Sequence, residues 1–342
     1  MNKVKRYLSR VHSMSFRRMS MYVNRCMAES GRSMLSISND MVLCSLRYGV
    51  GYMDYYVFGF STNRRHAARS SFMTMNDNYA LVNKVNDRKK RIIFEDKTLF
   101  CKTFPEYFGR DFLVIQDSTE EQVSDFIRRH PVFIAKTSYG YGGFGVRMYK
   151  NWVPSSGNPK EELSREGIGL LEERITQHPL VKELNPTSIN SVRIVTVMGR
   201  DGVPRIAYAL QRIGRLGSIV DNISSGGMYS LLDEDGRITK PAFCDSLGTY
   251  FDVHPENGTP FIGFQVPMFD KCKELALNAS YVVPEVRYVG WDVTVTRNGP
   301  ILIEGNSLPA YDMCQNKMYL KDGTGMLSLF EELSGEKIRN SR

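Results

Sequence analysis

The sequence predicts a mixed α/β fold of the α+β kind, helical in its first third and rich in strands after residue 130. Three observations carry that reading. Glu120 to Arg129 has the spacing of an amphipathic helix, with Ser118 or Thr119 placed to cap it. From Pro131 onward, short apolar and alternating runs follow one another between turn residues. The last of them, Val289 to Asn306, reads as two strands joined by a tight turn.

Residues 1–32 hold eight Lys/Arg (Lys3, Lys5, Arg6, Arg10, Arg17, Arg18, Arg25, Arg32) and one acid, Glu29, so nearly all of the net charge of +8 sits there. The balanced remainder is not a basic surface for nucleic acid, and no such partner is expected. The basic segment has three readings: a helix packed on the protein's own body, a patch for a membrane surface or another anionic partner, or a transit-like segment. Packing is the preferred one. Residues 35–60, with Tyr52, Tyr55, Tyr56, Phe58 and Phe60, read as helix and core. Residues 61–91 are polar and basic, helical from about Asp77. A short helix starts at Glu95–Phe100 and runs toward Tyr107, and Phe112–Ile115 is a strand.

Past residue 130, strands are expected at 132–137, 145–150, 170–175, 191–198, 205–213 and 228–232. A helix at 269–277, the final hairpin and a helix at 324–333 complete the chain. With 342 residues, two or three structural units are expected. The six cysteines are scattered without a C-x-x-C pair, which speaks against a zinc site or disulfide framework and fits a reducing compartment. No apolar run is long enough to span a bilayer. The expected location is cytoplasmic, with the basic segment a candidate for contact at the inner membrane surface.

The final hairpin carries the first chemical signal. Asp292 lies on its first strand, and Glu304 and Asn306 lie two apart, on one face of the second. If Arg297-Asn298-Gly299 is a three-residue loop, Asp292 stands opposite Glu304; a two-residue Asn-Gly loop puts them on opposite faces. Two carboxylates side by side in apolar strands repel and resist burial. A hard cation such as Mg²⁺, carrying nucleotide phosphates, relieves both problems. An ordinary hairpin with one solvated face fits the same residues equally well.

Gly140 to Gly145 matches G-x-G-x-x-G, but Val146 to Lys150 continues as a strand rather than a helix. The loop is therefore the tip of a hairpin, able to lay N–H groups on phosphates or simply to move at the surface. There is no G-x-x-x-x-G-K-[ST], and neither an H-R-D nor a D-F-G segment of a protein kinase. Lys136, in an apolar strand before the glycines, needs an anion. Lys97 is a second candidate. Leu170 to Ile175 could hydrogen-bond an adenine through its backbone, an acid reaching the base or ribose, or could end in solvated charges. Asn190 to Arg193 and Gln211 to Arg215 place arginines in or at the ends of strands, ahead of the loop Asp221 to Gly227.

The order of these residues resembles the ATP-grasp superfamily, most closely the sugar-transfer-associated ATP-grasp family, which is related to α-L-glutamate ligases. The resemblance covers roughly residues 45–330 and is most specific from Asp221 to Gly227 and from Gly290 to Asn306. It implies two α+β subdomains gripping ATP behind a helical N-terminal extension: residues 1–60 a basic then apolar helical region, 61–130 a region preceding the grasp, and 131–335 the grasp, split into 131–176 over the nucleotide and 177–335 for metal and substrate. It implies that Lys97, Lys136, Gly140, Gly142 and Gly143 meet the phosphates. Glu172, Glu173, Arg174 and Ile175 would form the adenine hinge, and Asp292, Glu304 and Asn306 would hold Mg²⁺. Arg193, Arg215 and Asn222 would serve the substrate carboxylate or the transferred phosphoryl group. The implied reaction is ATP-dependent carboxylate–amine ligation through an acyl phosphate, on a small-molecule, sugar-linked or peptide carboxylate, with a link to cell-surface polysaccharide or peptide modification that rests on the family name. A kinase on the same fold and a non-catalytic nucleotide-binding protein are the alternatives. Where better-known ligases continue into Ser-Pro-Gly, this chain has Ser307-Leu-Pro-Ala-Tyr-Asp312, which leaves the acceptor side open.

Overall fold

The structure, a computed structural model, describes residues 15–140, 143–155 and 157–339. The chain forms two compact units. One draws on the chain up to Asn78 and on Tyr311–Ser328, the other on Tyr79–Ala310 and the chain from Leu329 onward.

The first unit is helical: α1 (Phe16–Ser30), α2 (Met34–Tyr48), α3 (Tyr52–Val57) and α4 (His66–Ser70). Ser15 and Ser33 cap α1 and α2, and Gly31 and Gly49 end them in the left-handed conformation. Tyr22, Val23 and Cys26 of α1 are buried, so the described part of the basic segment is a packed helix, as the packing reading expects. Residues 1–14 lie outside the described residues. Arg32 and Arg69 both turn inward onto the buried Asp40, at 3.0 and 2.7 Å, and Tyr55 Oη donates to the same carboxylate at 2.7 Å. Burial alone would raise Asp40; these three partners hold it well below the usual carboxylate range.

The chain continues through α5 (Met75–Val85) and, in the second unit, three short helices, α6 (Ile92–Glu95), α7 (Lys97–Thr103) and α8 (Pro105–Phe108). A small antiparallel sheet follows: β1 (Phe112–Val114), β2 (Val132–Thr137), β3 (Val146–Lys150) and β4 (Ile168–Glu173), in the order β1-β4-β2-β3. Residues alternate across it. Phe133, Ala135, Ile168 and Leu171 form a core with Val123 and Phe126 of α9 (Glu120–Arg129) and Leu163 of α10 (Pro159–Arg165). Ile134, Lys136, Met148 and Glu172 take the other face. Thr119 caps α9 in a capping box with Gln122, as its sequence predicts. Because β1 pairs with β4, this sheet crosses the boundary drawn near residue 130.

After α11 (Pro179–Leu184), the larger sheet comprises β5 (Val192–Met198), β6 (Pro204–Ile213), β7 (Met228–Leu231), β8 (Ala242–Cys244), β9 (Thr249–Phe251), β10 (Tyr288–Thr296) and β11 (Gly299–Asn306). It is antiparallel in the order β11-β10-β5-β6-β7-β8-β9. Trp291, Ile194 and Val293 pack into one core with Cys272, Ala276 and Ala279 of α12 (Phe269–Ser280). The final helix is α13 (Leu327–Ser334). All six cysteines are buried and unpaired. Among the described residues, no helix is long and apolar enough to cross a membrane.

Candidate functional site

A cavity of about 400 Å³ is lined by both sheets of the second unit, within the range of small-molecule sites. Its floor is a row across three strands. Asp292 of β10 pairs in register with Arg193 of β5 on one side and with Glu304 of β11 on the other. The three-residue loop on which that pairing was predicated is not found. Thr296 pairs with Gly299, so the turn is Arg297-Asn298, and a β-bulge at Ile303 supplies the extra residue that brings Glu304 opposite Asp292. Asn306 lines the same cavity. Gly305 lies between them because a Cβ there would stand 2.9 Å from the rings of Phe94 and Phe100.

Asp292 is the most heavily engaged group. Arg193 donates to it through Nε and through Nη2 at 2.9 Å, and Arg212 through Nη1 at 2.8 Å. Burial pushes its carboxyl up, but the two guanidiniums overcome this and hold it below the usual aspartate range. Glu304 moves the other way: burial and then the neighbouring Asp292 charge raise it above the usual glutamate range. Arg212 also donates to Asn222 Oδ1 at 2.8 Å and lies 3.2 Å from Asp221. Asp221 in turn accepts from the amide and hydroxyl of Ser191 at 2.7 and 2.5 Å.

The small sheet forms the roof. Lys136 Nζ lies 2.6 Å from Glu172 Oε1, and Glu172 Oε2 accepts from Arg110 Nε and Nη2 at 2.9 and 2.8 Å. Burial would raise Glu172; Arg110 and then Lys136 bring it below its ordinary value. Of the two acids in Leu170–Ile175 that could reach a base or ribose, Glu172 has both its oxygens facing cations. Glu173, Arg174 and Ile175 do line the cavity. Glu173 Oε2 accepts from the Asp111 amide at 3.1 Å, and Arg174–Thr176 lie beyond the end of β4, outside either sheet.

Lys97 is the first residue of α7, whose N-cap Asp96 accepts from Thr98 N at 2.8 Å and Leu99 N at 3.3 Å. Its Nζ donates to Gly140 O at 2.7 Å. Burial lowers its affinity for a proton, with the Glu304 carboxylate opposing. Gly140 and Gly143 line the cavity, and Gly142 lies outside the described residues. Gly143 has φ +80°, and a Cβ on it would stand 2.5 Å from Asn222 Nδ2, so the hairpin tip closes directly on the Asp221–Gly227 loop.

The structure thus brings Lys97, Lys136, Gly140, Gly143, Glu172, Glu173, Arg174, Ile175, Arg193, Asn222, Asp292, Glu304 and Asn306 to one cavity. Arg215 is not among its lining residues. It follows the end of β6 and pairs with Glu256. Arg212 stands in the cavity instead, two positions along β6 from Leu210, which pairs with Arg193 and so shares its face. The signal was present in the sequence: Arg212 is the arginine inside the apolar strand, and an arginine there needs an anion just as Lys136 does. Arg110 and Asp221 were also missed as partners, because nothing in the local pattern marks what a distant residue will meet.

The residues fit a hard cation in part. Among the described residues, no group of three or more His, Cys, Asp or Glu side chains is assembled for a metal. Glu304 is a carboxylate raised by burial and then by a neighbouring carboxylate, and a cation would relieve the repulsion. Asn306 lines the cavity, and its Nδ2 makes a 3.5 Å contact with Gly290 O. Asp292 could join them only by sharing its oxygens with two arginines.

A family model described as "Sugar-transfer associated ATP-grasp" matches residues 75–328. No curated protein matches the chain. Among solved structures it is similar to the ATP-grasp ligase PsnB complexed with a minimal precursor, at 13% identity and TM-score 0.42, covering 73% of this chain and 62% of that one. It is similar to the D-cycloserine synthetase DcsG at 12% identity and TM-score 0.42, covering 73% and 74%. A D-alanine–D-alanine ligase from Bacillus anthracis matches at 12% and 0.37, covering 65% and 58%. The chain spans 62% of the length of the first of these. Because the family match begins ahead of α6 and ends beyond β11, it takes in both sheets and the whole cavity, and the chain belongs to the sugar-transfer associated ATP-grasp family.

Proposed function

We propose that the protein is an ATP- and Mg²⁺-dependent carboxylate–amine ligase that works through an acyl phosphate. The observation that carries the reading is the division of charge in the cavity. Lys97 and Lys136 approach from one side, and the acidic, amide-bearing strand of Glu304 and Asn306 from the other. A magnesium nucleotide has the complementary pattern. The hinge residues Arg174–Thr176 offer backbone groups to a base, and Ile134, Met148 and Ile303 offer it apolar walls. Lys97, Lys136 and the N–H groups of the glycine hairpin neutralise the phosphates. Mg²⁺, held by Glu304 and Asn306 with Asp292 at their side, would draw charge from the transferring phosphoryl group.

The substrate carboxylate meets Arg193 and Arg212 and attacks the γ-phosphorus as ADP departs. An amine then attacks the acyl carbon and phosphate leaves, giving an amide. Ligation is favoured over hydroxyl phosphorylation by the commitments of the site's own acids. Asp292 and Glu172 are each bound by two cations, and Asp221 by Ser191 and Arg212. A carboxylate arrives already ionised and needs no base, whereas a hydroxyl must lose its proton. The family association points to a carboxylate on a small molecule, sugar or peptide.

The test is hydroxylamine trapping. With ATP, Mg²⁺ and a panel of carboxylates, hydroxylamine should yield a hydroxamate together with ADP and phosphate. A stable phosphate ester on a hydroxyl, with no hydroxamate, would move the protein to the kinase class.

A further inference from the structure

The pairing of Lys136 with Glu172 raises a difficulty for nucleotide binding. Lys136 lines the cavity and is a lysine that the nucleotide reading gives to the phosphates, yet its ammonium is already neutralised, 2.6 Å from a carboxylate that is 3% exposed. If Glu172 had no other cation, moving Lys136 to a phosphate would strand a buried anion, an unfavourable exchange. Arg110 removes that obstacle. Its side chain is 2% exposed and grips Glu172 Oε2 through both Nε and Nη2. Its remaining donor, Nη1, is held by main-chain carbonyls, Leu302 O at 2.7 Å and Phe108 O at 3.0 Å, and the guanidinium lies 3.8 Å from the centre of the Phe108 ring. Arg110 therefore cannot leave with the lysine. It is fixed to the strand that carries Glu304, beside the bulge, while Lys136, among the described residues, is held by its flexible stem and one ion pair.

We propose that Arg110 is the positioning residue of the phosphate site: the resident counter-ion of Glu172 that frees Lys136 for a nucleotide phosphate. Glu172 is then a parking place. It keeps the ammonium charged and aimed while the site is empty, and stays paired with Arg110 once Lys136 has turned to the phosphate. Arg110→Lys would keep the charge but lose the two-pronged grip and the hold on Leu302. The inference rests on the nucleotide reading given above.

The experiment compares ligands with and without phosphate. ATP with Mg²⁺, ADP and adenosine are titrated into the wild type, Arg110→Met, Arg110→Lys, Glu172→Gln and Arg110→Met/Glu172→Gln, with thermal unfolding followed in parallel. Arg110→Met should lose on the order of ten- to a hundred-fold in affinity for ATP and ADP, the scale of a charged hydrogen bond, and nothing for adenosine. Glu172→Gln should bind ATP at least as tightly as the wild type. The double variant, with the anion gone, should recover ATP affinity to within about three-fold, and Arg110→Lys should recover part of it. The Lys and double variants keep the test open if Arg110→Met does not fold. Equal losses for ATP and adenosine, or a double variant as weak as Arg110→Met, would make Arg110 a mere structural support and overturn the proposal. A wild type that binds adenosine but gains nothing from its phosphates would instead overturn the nucleotide reading, and this inference with it.

Discussion

The roof and the floor of the cavity are both built from buried ion pairs, yet they are unbalanced in opposite senses. In the roof, Arg110 and Lys136 share one buried acid, Glu172, while the ammonium of Lys97 rests on a carbonyl, Gly140 O, and looks across to Glu304. In the floor, Arg193 and Arg212 stand among Asp292, Asp221 and Glu304, and the acid left over is Glu304, the one whose carboxyl is raised. Unbalanced buried charge is costly to a fold that serves no ligand. A roof lacking an anion facing a floor lacking a cation is what a metal–phosphate ligand would complete. The cavity is described better by its two deficits than by either charged cluster.

The largest effect should come from the floor. Glu304→Gln should lower ATP turnover by at least about a hundred-fold at saturating Mg²⁺, since the surplus negative charge is what holds the cation. The fold should not suffer. In the folded, metal-free protein the carboxyl of Glu304 is raised by burial and by Asp292, so the folded state keeps a proton that the unfolded chain has already lost. Its contribution therefore falls as pH rises from the ordinary glutamate range through the raised value. The difference in melting temperature, variant minus wild type, should grow with pH over that window and level off above it. Full turnover by the variant would remove Glu304 from the metal site, and a flat difference would mean that its charge is not opposed.

A smaller effect is expected in the roof. Lys136→Ala should weaken ATP binding about ten-fold or more, while Lys150→Ala, exposed at the far end of β3 opposite Val132, should be neutral. Stability should change little, because Glu172 keeps its bidentate partner. Equal ATP affinity in the two variants would place Lys136 outside the site and break the contrast between roof and floor.

The sequence shows the members of both clusters better than their partners. Strand periodicity and the rule that a buried lysine needs an anion singled out Lys136, Arg193, Asp292 and Glu304, because each interrupts an apolar run. The sequence makes the Asp292–Glu304 pairing depend on a three-residue loop, and the structure reaches it by another route. A loop of two residues and a bulge at Ile303 give the register that one three-residue loop would have given. Of the two arginines in Gln211–Arg215, the resemblance points to Arg215, which lies past the strand's end, whereas Arg212 lies within it. Glu172 lines the cavity, but its pairing with Arg110, 62 residues away, is a tertiary fact that no local pattern shows. The strands Ala242–Cys244 and Thr249–Phe251 are three residues each, too short to show a period of two, and they were not foreseen.

The smallest predicted effect concerns the seam where roof meets floor. Gly143 and Gly167 both have positive φ, +80° and +76°. Replacing either by alanine should cost about 1 kcal/mol or somewhat more in backbone strain, so the two variants should melt alike. They differ in what the added methyl meets. At Gly167 nothing lies within 4 Å, whereas at Gly143 the Cβ would fall 2.5 Å from Asn222 Nδ2 and 3.1 Å from a Val220 methyl. Asn222 is tied to Arg212, so it cannot yield without disturbing the floor. Gly143→Ala should therefore hold the hairpin tip away from the Asp221–Gly227 loop and weaken ATP binding several-fold, an effect that Gly167→Ala should not share. Affinity titrations on the two variants, matched for melting temperature, make the comparison. Should both bind ATP equally well, the glycine at 143 serves only the turn, and the roof does not need to close on the floor for phosphate to be held.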